Sequence, residues 1–550
     1  FMVRAVDGLV EILKEEGVGF VSTFPTSRIN NAIGESDGID LFMVRDERYA
    51  VATADAYSRL MDGKGFGVCT VMGGVNAAGT QMAYGAMAQA YEDSVPLLCL
   101  TDGVEPEAWG RTRYDISEGF KSVTKWTGYI NRPERVPEYL RRAFTKLKTG
   151  RPSPVLLQLP RDLGEYDAGK NPYSRVKGWR TQGDPQDVRK AVKALLKAEA
   201  PLIYAGSGVF SADAVKELRE FAETAQFPVL TTLQGKSAFP ENHPLSLGVR
   251  GLPAERFLKK SDKIITVGVG LTPCHFMQNI PDPTSKSIIQ CTIDESDLNN
   301  DYMVDHAVLG DAKLVLRQLK EAVEDEGAPG DKEELLSEIK DAKDEMMKKY
   351  GPLMASDGTP INPYRVYADL MEALDMENSF VTHESGNTRD QLSTVFESRI
   401  PHGFMGWGNV TTLGYGLGAA FGAYHALPGR QMVSVTGDAG VGYQMGNWET
   451  MVRYDMGITI LHINNNGFGG YGPGFWGEGH SPYTYELTPH GTQSTAKVAE
   501  ALGIDGERVE DPDEVKPAIE RALEANSRDK PYLLEVICSK YPVYPGWIRG

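Results

Sequence analysis

No histidine precedes His243, so imidazole is excluded as base, acid or metal ligand from whatever the first part of the chain builds. Cysteine is scarce too. Cys69, Cys99, Cys274, Cys291 and Cys538 are odd in number and form no C-x-x-C pair. That argues against a disulfide framework or a structural zinc site and for buried thiols in a reducing compartment. Positive charge is in deficit, with 57 Lys+Arg against 75 Asp+Glu, a net charge of −18, and no basic block. Nucleic acid and anionic membrane surfaces are therefore poor partners. A long apolar run is also missing. Val68 to Tyr91 is free of charge, but Gly73-Gly74, Asn76, Thr80, Gln81 and Gln89 interrupt it, which suits a buried strand–turn–helix better than a membrane span. No charged segment followed by an apolar core opens the chain, and the expected location is cytoplasmic.

What is present is ample for several cores: 550 residues, 41% hydrophobic and 24% charged, a size that predicts two to four domains. Residues 2–168 alternate helix and strand patterns, with a helix expected over Val3 to Leu13 and strands over Gly19–Thr23, Leu41–Val44, Gly67–Met72 and Pro96–Thr101. A Pro/Gly/charged linker, 171–187, leads to a second α/β region at 185–325, with strands expected over Pro201–Tyr204, Pro228–Thr232, Lys263–Val267 and Ser287–Ile293. Gly206-Ser207-Gly208 and Gly268-Val269-Gly270 follow two of those strands, yet neither completes a G-x-G-x-x-G fingerprint. Residues 326–359 read as a charged helical connector, and 360–550 as a third α/β region. The fold class is α/β, with three doubly wound parallel-sheet domains.

The most informative stretch is 431–470. Gln431–Thr436 is a β-prone run ending at Gly437-Asp438-Ala439-Gly440. A helix pattern carries Met445, Trp448, Met451 and Val452 on one side. Ile458–Ile463 is a second β-branched run ending in Asn464-Asn465-Asn466. In a right-handed β-α-β unit both strand ends open on one edge, where open α/β sheets bind ligands. Asp438 and Asn465, 27 positions apart, can then face one spot. A carboxylate and an amide oxygen are hard ligands that suit Mg²⁺, and the glycines with the helix start suit an anion.

GDAG through INNN resembles the diphosphate- and metal-binding motif of thiamine diphosphate (ThDP) enzymes. The resemblance implies Asp438, Asn465 and the carbonyl of Gly467 as Mg²⁺ ligands, with Gly437, Asp438, Ala439 and Gly440 around the diphosphate. It extends over nearly the whole chain, as pyrimidine-binding, central and pyrophosphate-binding domains in that order. Glu47 precedes Tyr57 and Arg59 by ten and twelve positions, as in the family's segment whose glutamate bonds the cofactor's aminopyrimidine and promotes loss of the thiazolium C2 proton. A helix N-terminus alone also favours a carboxylate there. The turn at Gly386-Asn387 is similar to a diphosphate-holding turn. Leu413, in GNVTTLGYGLGA, matches the apolar residue that props the cofactor into a bent shape.

The chain looks most like acetolactate synthase large subunits, a group that also includes decarboxylases, carboligases and acyl-CoA lyases. The implied activity makes or breaks a C–C bond beside a carbonyl, with a 2-keto acid as the expected substrate. A 2-hydroxyacyl-CoA lyase or oxalyl-CoA decarboxylase is the alternative. A flavin- or nicotinamide-dependent oxidoreductase and a non-catalytic scaffold are readings from other classes. FAD or ADP in the central domain is possible by resemblance but not favoured. The family places its cofactor between two subunits, so a dimer or tetramer is implied, with Glu47 and Asp438 meeting across the interface. The histidine pair of pyruvate decarboxylase-like members is lacking. Thr26 and Arg28 depart from the family's first turn, and Tyr114 lies in a shortened segment. With Phe468 and Tyr471, in a Gly/Pro-rich loop, they are the candidate substrate contacts.

Overall fold

Three apolar sheets carry the chain, each six strands wide. Their strands are short and the inner ones almost wholly buried, as in Val155–Pro160 and Ile458–Asn464, the character of parallel strands covered by helices on both faces. The computed structural model describes residues 1–24, 27–74, 78–105, 114–273, 278–330, 332–467 and 494–539. These form two compact units, one of residues 1–180 and 409–427, the other of 181–408 and 428–550.

In the first unit the parallel sheet runs Asp40–Met43, Phe20–Thr23, Gly67–Val71, Leu97–Gly103, Val155–Pro160, Trp126–Tyr129. Counted along the chain, that is the order 2-1-3-4-6-5. Leu9, Leu13, Ile29, Ile33, Leu98 and Phe144 are part of its core. The first helix is Ala5–Glu16, and Val3, expected inside it, belongs to Met2–Arg4, which pairs antiparallel with Glu165–Asp167. A three-residue edge is too short for periodicity to separate from a first helical turn. The helix Tyr415–Ala426 lies in the third segment by chain position but groups with this unit. It packs on the helix Glu47–Leu60 through small residues. A Cβ on Gly422 would stand 2.6 Å from the carbonyl oxygen of Thr53, and one on Gly418 2.6 Å from Ala52. The Tyr415 hydroxyl donates to buried Asp55, which also pairs with Arg59, and Arg59 reaches Asp93 at 2.9 Å.

The second unit holds two sheets. One runs Ser246–Gly248, Val229–Thr231, Pro201–Ala205, Lys263–Val267, Ser287–Thr292, His306–Leu309, the order 3-2-1-4-5-6. The other runs Phe404–Met405, Ser379–His383, Gln431–Gly437, Ile458–Asn464, Tyr532–Ile537, Asp505–Val509, again 2-1-3-4-6-5. Buried charged side chains tie loops of one to the other. Lys236 pairs with Glu241 and also donates to the carbonyl of Phe396 at 2.7 Å, and Arg250 meets Asp390 at 3.1 Å. The expected connector is largely one helix, Glu333–Met354. Cys69, Cys99, Cys291 and Cys538 are buried free thiols. No helix among the described residues is long and apolar enough to cross a membrane.

Candidate cofactor site

Connections leave Ser379–His383 and Gln431–Gly437 in opposite directions along the third sheet, so a crevice opens beyond their C-terminal ends. Gly386, with φ +95°, turns the chain there into the helix Asn387–Val395. The strand Gln431–Gly437 runs straight into a helix whose first residue is Asp438, so the expected Gly-rich turn is only the strand–helix junction. That helix ends at Gln444, and Trp448–Arg453 forms a separate one.

The asparagine run divides its labour. The side chain of Asn464 donates to Glu535 at 2.7 Å and accepts the backbone N–H of Asn466 at 3.0 Å, closing a local turn. Asn466 takes φ +58°, a left-handed conformation that asparagine tolerates. Between them, Asn465 donates its backbone N–H to the Asp438 carboxylate at 3.0 Å. The two residues expected to converge are thus in contact, with Gly467 two positions on and buried.

Asp438 has only 9% of its side chain exposed, and no lysine or arginine among the described residues pairs with it. A nearly buried carboxylate without a cationic side chain suits a bound cation. The types of oxygen that Asp438, Asn465 and the Gly467 carbonyl carry are hard donors of the kind that would suit Mg²⁺ completed by phosphate and water. No cluster of three or more His, Cys, Asp or Glu side chains able to hold a metal exists among the described residues, so a soft or imidazole-rich metal site has no counterpart there. The crevice also fits an anion. A Cβ on Gly437 would meet nothing nearer than 3.9 Å, and the buried amide oxygen of Asn387 meets no donor among the described residues, so a polar ligand could serve it. Gly440 answers to a different constraint: its Cβ would lie 2.0 Å from Cγ of Glu384.

Glu384 is one of the residues the sequence did not single out. It is fully buried and accepts from the Ser385 N–H at 3.0 Å and from Gln444 at 3.1 Å. It thereby braces the two crevice loops against each other. His383 beside it stacks on Trp407 at 5.1 Å and accepts the Trp407 backbone N–H at 3.3 Å. Burial pushes its pKa down to about 3, so it is a neutral structural group. His462, also unforeseen, places Nε2 3.4 Å from Asp438 Oδ1. No spacing rule marks these residues, because their partners lie 24 to 60 positions away along the chain.

In the first unit, Glu47 is the first residue of the helix Glu47–Leu60, and Asp46 caps that helix by accepting the Tyr49 N–H at 3.0 Å. Glu47 is 5% exposed, and no lysine or arginine among the described residues pairs with it. Desolvation, with some help from Asp46, holds its carboxyl above the ordinary carboxylate range. Gly79 makes room for it, since a Cβ there would stand 2.3 Å from the Glu47 Oε1. Leu413 lies in the same unit, half-buried, just before Gly414 at φ +88°. Arg28 is exposed and already held by Asp162 and the carbonyl of Arg161. Tyr114 folds back over Gly119, where a Cβ would meet its hydroxyl at 2.0 Å. Thr26, Phe468 and Tyr471 lie outside the described residues.

In the central sheet the two glycine loops face each other at the switch point. Gly208 donates its N–H to the Gly268 carbonyl at 3.2 Å, and a Cβ on Gly206 would lie 2.3 Å from that same oxygen. Glycine is required there by backbone meeting backbone.

Comparison with known proteins agrees with this layout. Family models described as the N-terminal TPP binding domain, the central domain and the C-terminal TPP binding domain of thiamine pyrophosphate enzymes match residues 3–122, 188–319 and 384–536. A probable acetolactate synthase large subunit of Methanocaldococcus jannaschii is 31% identical, over 98% of this chain and 93% of the relative. The acetolactate synthase isozyme 3 large subunit of Escherichia coli is 27% identical over 100% and 97%, and a glyoxylate carboligase of Escherichia coli O157:H7 29% over 98% and 93%. With three matched domains in order and relatives aligned end to end, the chain belongs to the thiamine diphosphate-dependent enzymes of acetolactate synthase-like type.

Proposed function

We propose that this enzyme condenses 2-keto acids, holding ThDP through Mg²⁺ at Asp438, Asn465 and the carbonyl of Gly467. The observation that carries the reading is the Asn465 N–H on Asp438 at 3.0 Å, at a sheet switch point, around a carboxylate with no lysine or arginine partner among the described residues. When bound, ThDP would supply a nucleophilic thiazolium C2 for a carbonyl carbon and a cationic ring able to take up the electron pair of the bond that breaks. The protein's part follows from its own groups. Gly437 leaves space for the diphosphate at the crevice, the Gly386-Asn387 turn offers polar contacts, and Glu384 with Gln444 keeps the loops at fixed spacing. Glu47, buried and reluctant to ionise, holds or shares a proton with the cofactor's pyrimidine nitrogen. Leu413 supports the cofactor's bent shape.

The reading includes a homo-oligomer, dimer or tetramer, in which Glu47 of one copy serves the cofactor anchored by another. It leaves the central sheet without FAD or ADP, a choice supported by the mutual packing of its glycine loops. Arg28 and Tyr114 belong to the substrate side only if they leave Asp162 and Gly119. Thr26, Phe468 and Tyr471 remain the other candidate contacts.

The test is thermal unfolding with and without ThDP plus Mg²⁺, paired with a 2-keto acid panel scored for CO₂ release and for the condensed product. Stabilisation that requires both additions, with product formation, is the expected result. Turnover of acyl-CoA thioesters in place of keto acids would move the assignment to the lyase alternative. Well-folded protein showing neither binding nor turnover would overturn it.

A further inference from the structure

His462 occupies the middle of a buried strand, between Leu461 and Ile463, and is itself fully buried. An imidazole there costs free energy unless both nitrogens find partners. Its Nδ1 lies 2.9 Å from the hydroxyl of Thr495. Its Nε2 has no hydrogen-bond partner among the described residues, and Asp438 Oδ1 lies 3.4 Å from it. The neighbouring carboxylate of Glu535 is not its partner, being engaged by Asn464 and Ser494 at 2.7 Å each, by the Ala496 N–H at 3.2 Å and by Arg508 at 3.5 Å.

We propose that His462 is a positioning residue that aims the Asp438 carboxylate at the metal; this rests on the metal reading above. The Thr495 hydroxyl donates to Nδ1, which puts the ring proton on Nε2 and faces it toward Oδ1. Asn465 N–H holds Oδ2 at 3.0 Å. The carboxylate is thus approached at one oxygen by main chain and at the other by imidazole, and the lone pairs left over face the crevice. A shift of a few tenths of an ångström brings Nε2–H to hydrogen-bond distance. His462 is not itself a ligand, since Nε2 faces a carboxylate and Mg²⁺ selects oxygen. It inverts the commoner arrangement in which a carboxylate orients a ligating histidine.

The experiment measures Mn²⁺ affinity in the presence of ThDP, by the electron paramagnetic resonance of free Mn²⁺, and the Mg²⁺ activation curve. His462→Met removes the donor at similar volume, His462→Gln keeps an N–H near the Nε2 position, and Thr495→Val frees the ring to take the other tautomer. His462→Met is expected to bind Mn²⁺ about 10–100-fold more weakly, the range for losing an outer-shell partner. Its activation curve should move to higher Mg²⁺ while the rate at saturating Mg²⁺ stays near wild type. His462→Gln should recover most of the loss, and Thr495→Val should show part of it. Wild-type protein that binds no Mn²⁺ with ThDP would sink the metal reading itself. Wild-type binding matched by His462→Met would overturn the positioning role alone, as would equal weakening in His462→Met and His462→Gln. Should His462→Met fail to fold, Thr495→Val decides: affinity equal to wild type overturns the proposal, and weaker affinity sustains it.

Discussion

The first and third sheets share the strand order 2-1-3-4-6-5, and each sets one nearly buried carboxylate just past a strand end with no lysine or arginine partner among the described residues. The two carboxylates are nevertheless prepared for different work. Glu47 is surrounded mainly by exclusion of water, with Gly79 clearing the space, so its proton is held more tightly than usual. Asp438 accepts an N–H from Asn465, just past the next strand, and lies beside an imidazole, contacts that fix its direction. One winding thus yields a desolvated carboxyl group and a hydrogen-bonded, oriented one, and the difference lies in which neighbours reach each of them. The central sheet, wound 3-2-1-4-5-6, shows a third arrangement, with switch-point glycines that let two loops touch.

The comparison breaks most sharply at Glu47. Glu47→Gln should slow exchange of the ThDP C2 proton by about 10²–10⁴-fold, the usual range for a lost acid–base group, while ThDP still stabilises the protein. Quenched-exchange NMR reads this directly, and an unchanged rate would assign the acid elsewhere. Asp438→Asn should fail differently. Metal affinity should fall by more than the roughly 10–100-fold of an outer-shell loss, with ThDP stabilisation lost at low Mg²⁺. Equal metal affinity in this variant would remove Asp438 from the ligand set.

Next in size is a contrast between the two glycines flanking Asp438. Gly440→Ala drives a Cβ into Glu384 at 2.0 Å and should cost about 1–3 kcal/mol by denaturant unfolding, as overpacking does. Gly437→Ala, with nothing within 3.9 Å, should change stability by about 0.5 kcal/mol or less yet weaken ThDP binding, because the new methyl enters the crevice. A stable Gly440→Ala, or a Gly437→Ala with intact binding, would invert the roles given to them. The smallest effect concerns pH. The folded protein keeps the Glu47 proton that the unfolded chain releases, so stability attributable to Glu47 falls as pH rises from the ordinary carboxylate range through the raised value. Glu47→Gln lacks this dependence. It should match wild type near pH 4 and become the more stable of the two toward neutral pH. A constant gap would mean that Glu47 is not desolvated.

The alternation of apolar runs made three α/β regions legible, because buried parallel strands must be continuous apolar segments. The sequence missed short edges such as Ser246–Gly248 and His306–Leu309, whose three or four residues carry too little pattern. It also missed the grouping of Tyr415–Ala426 with the first unit, which depends on Gly418 and Gly422 meeting Ala52 and Thr53, a match between distant faces.

By itself, the order of residues determined that Asp438 and Asn465 would converge, since a right-handed β-α-β crossover leaves few places for two strand ends. It determined too that Glu47 stands at a helix start. Only the tertiary structure decided what surrounds them: Glu384 behind Gly440, Gly79 before Glu47, His462 and Thr495 behind Asp438. The physical reason is one of range. Backbone geometry and hydrophobic period act within about one supersecondary unit, whereas desolvation and hydrogen-bond partners depend on which side chains the finished packing brings within a few ångströms.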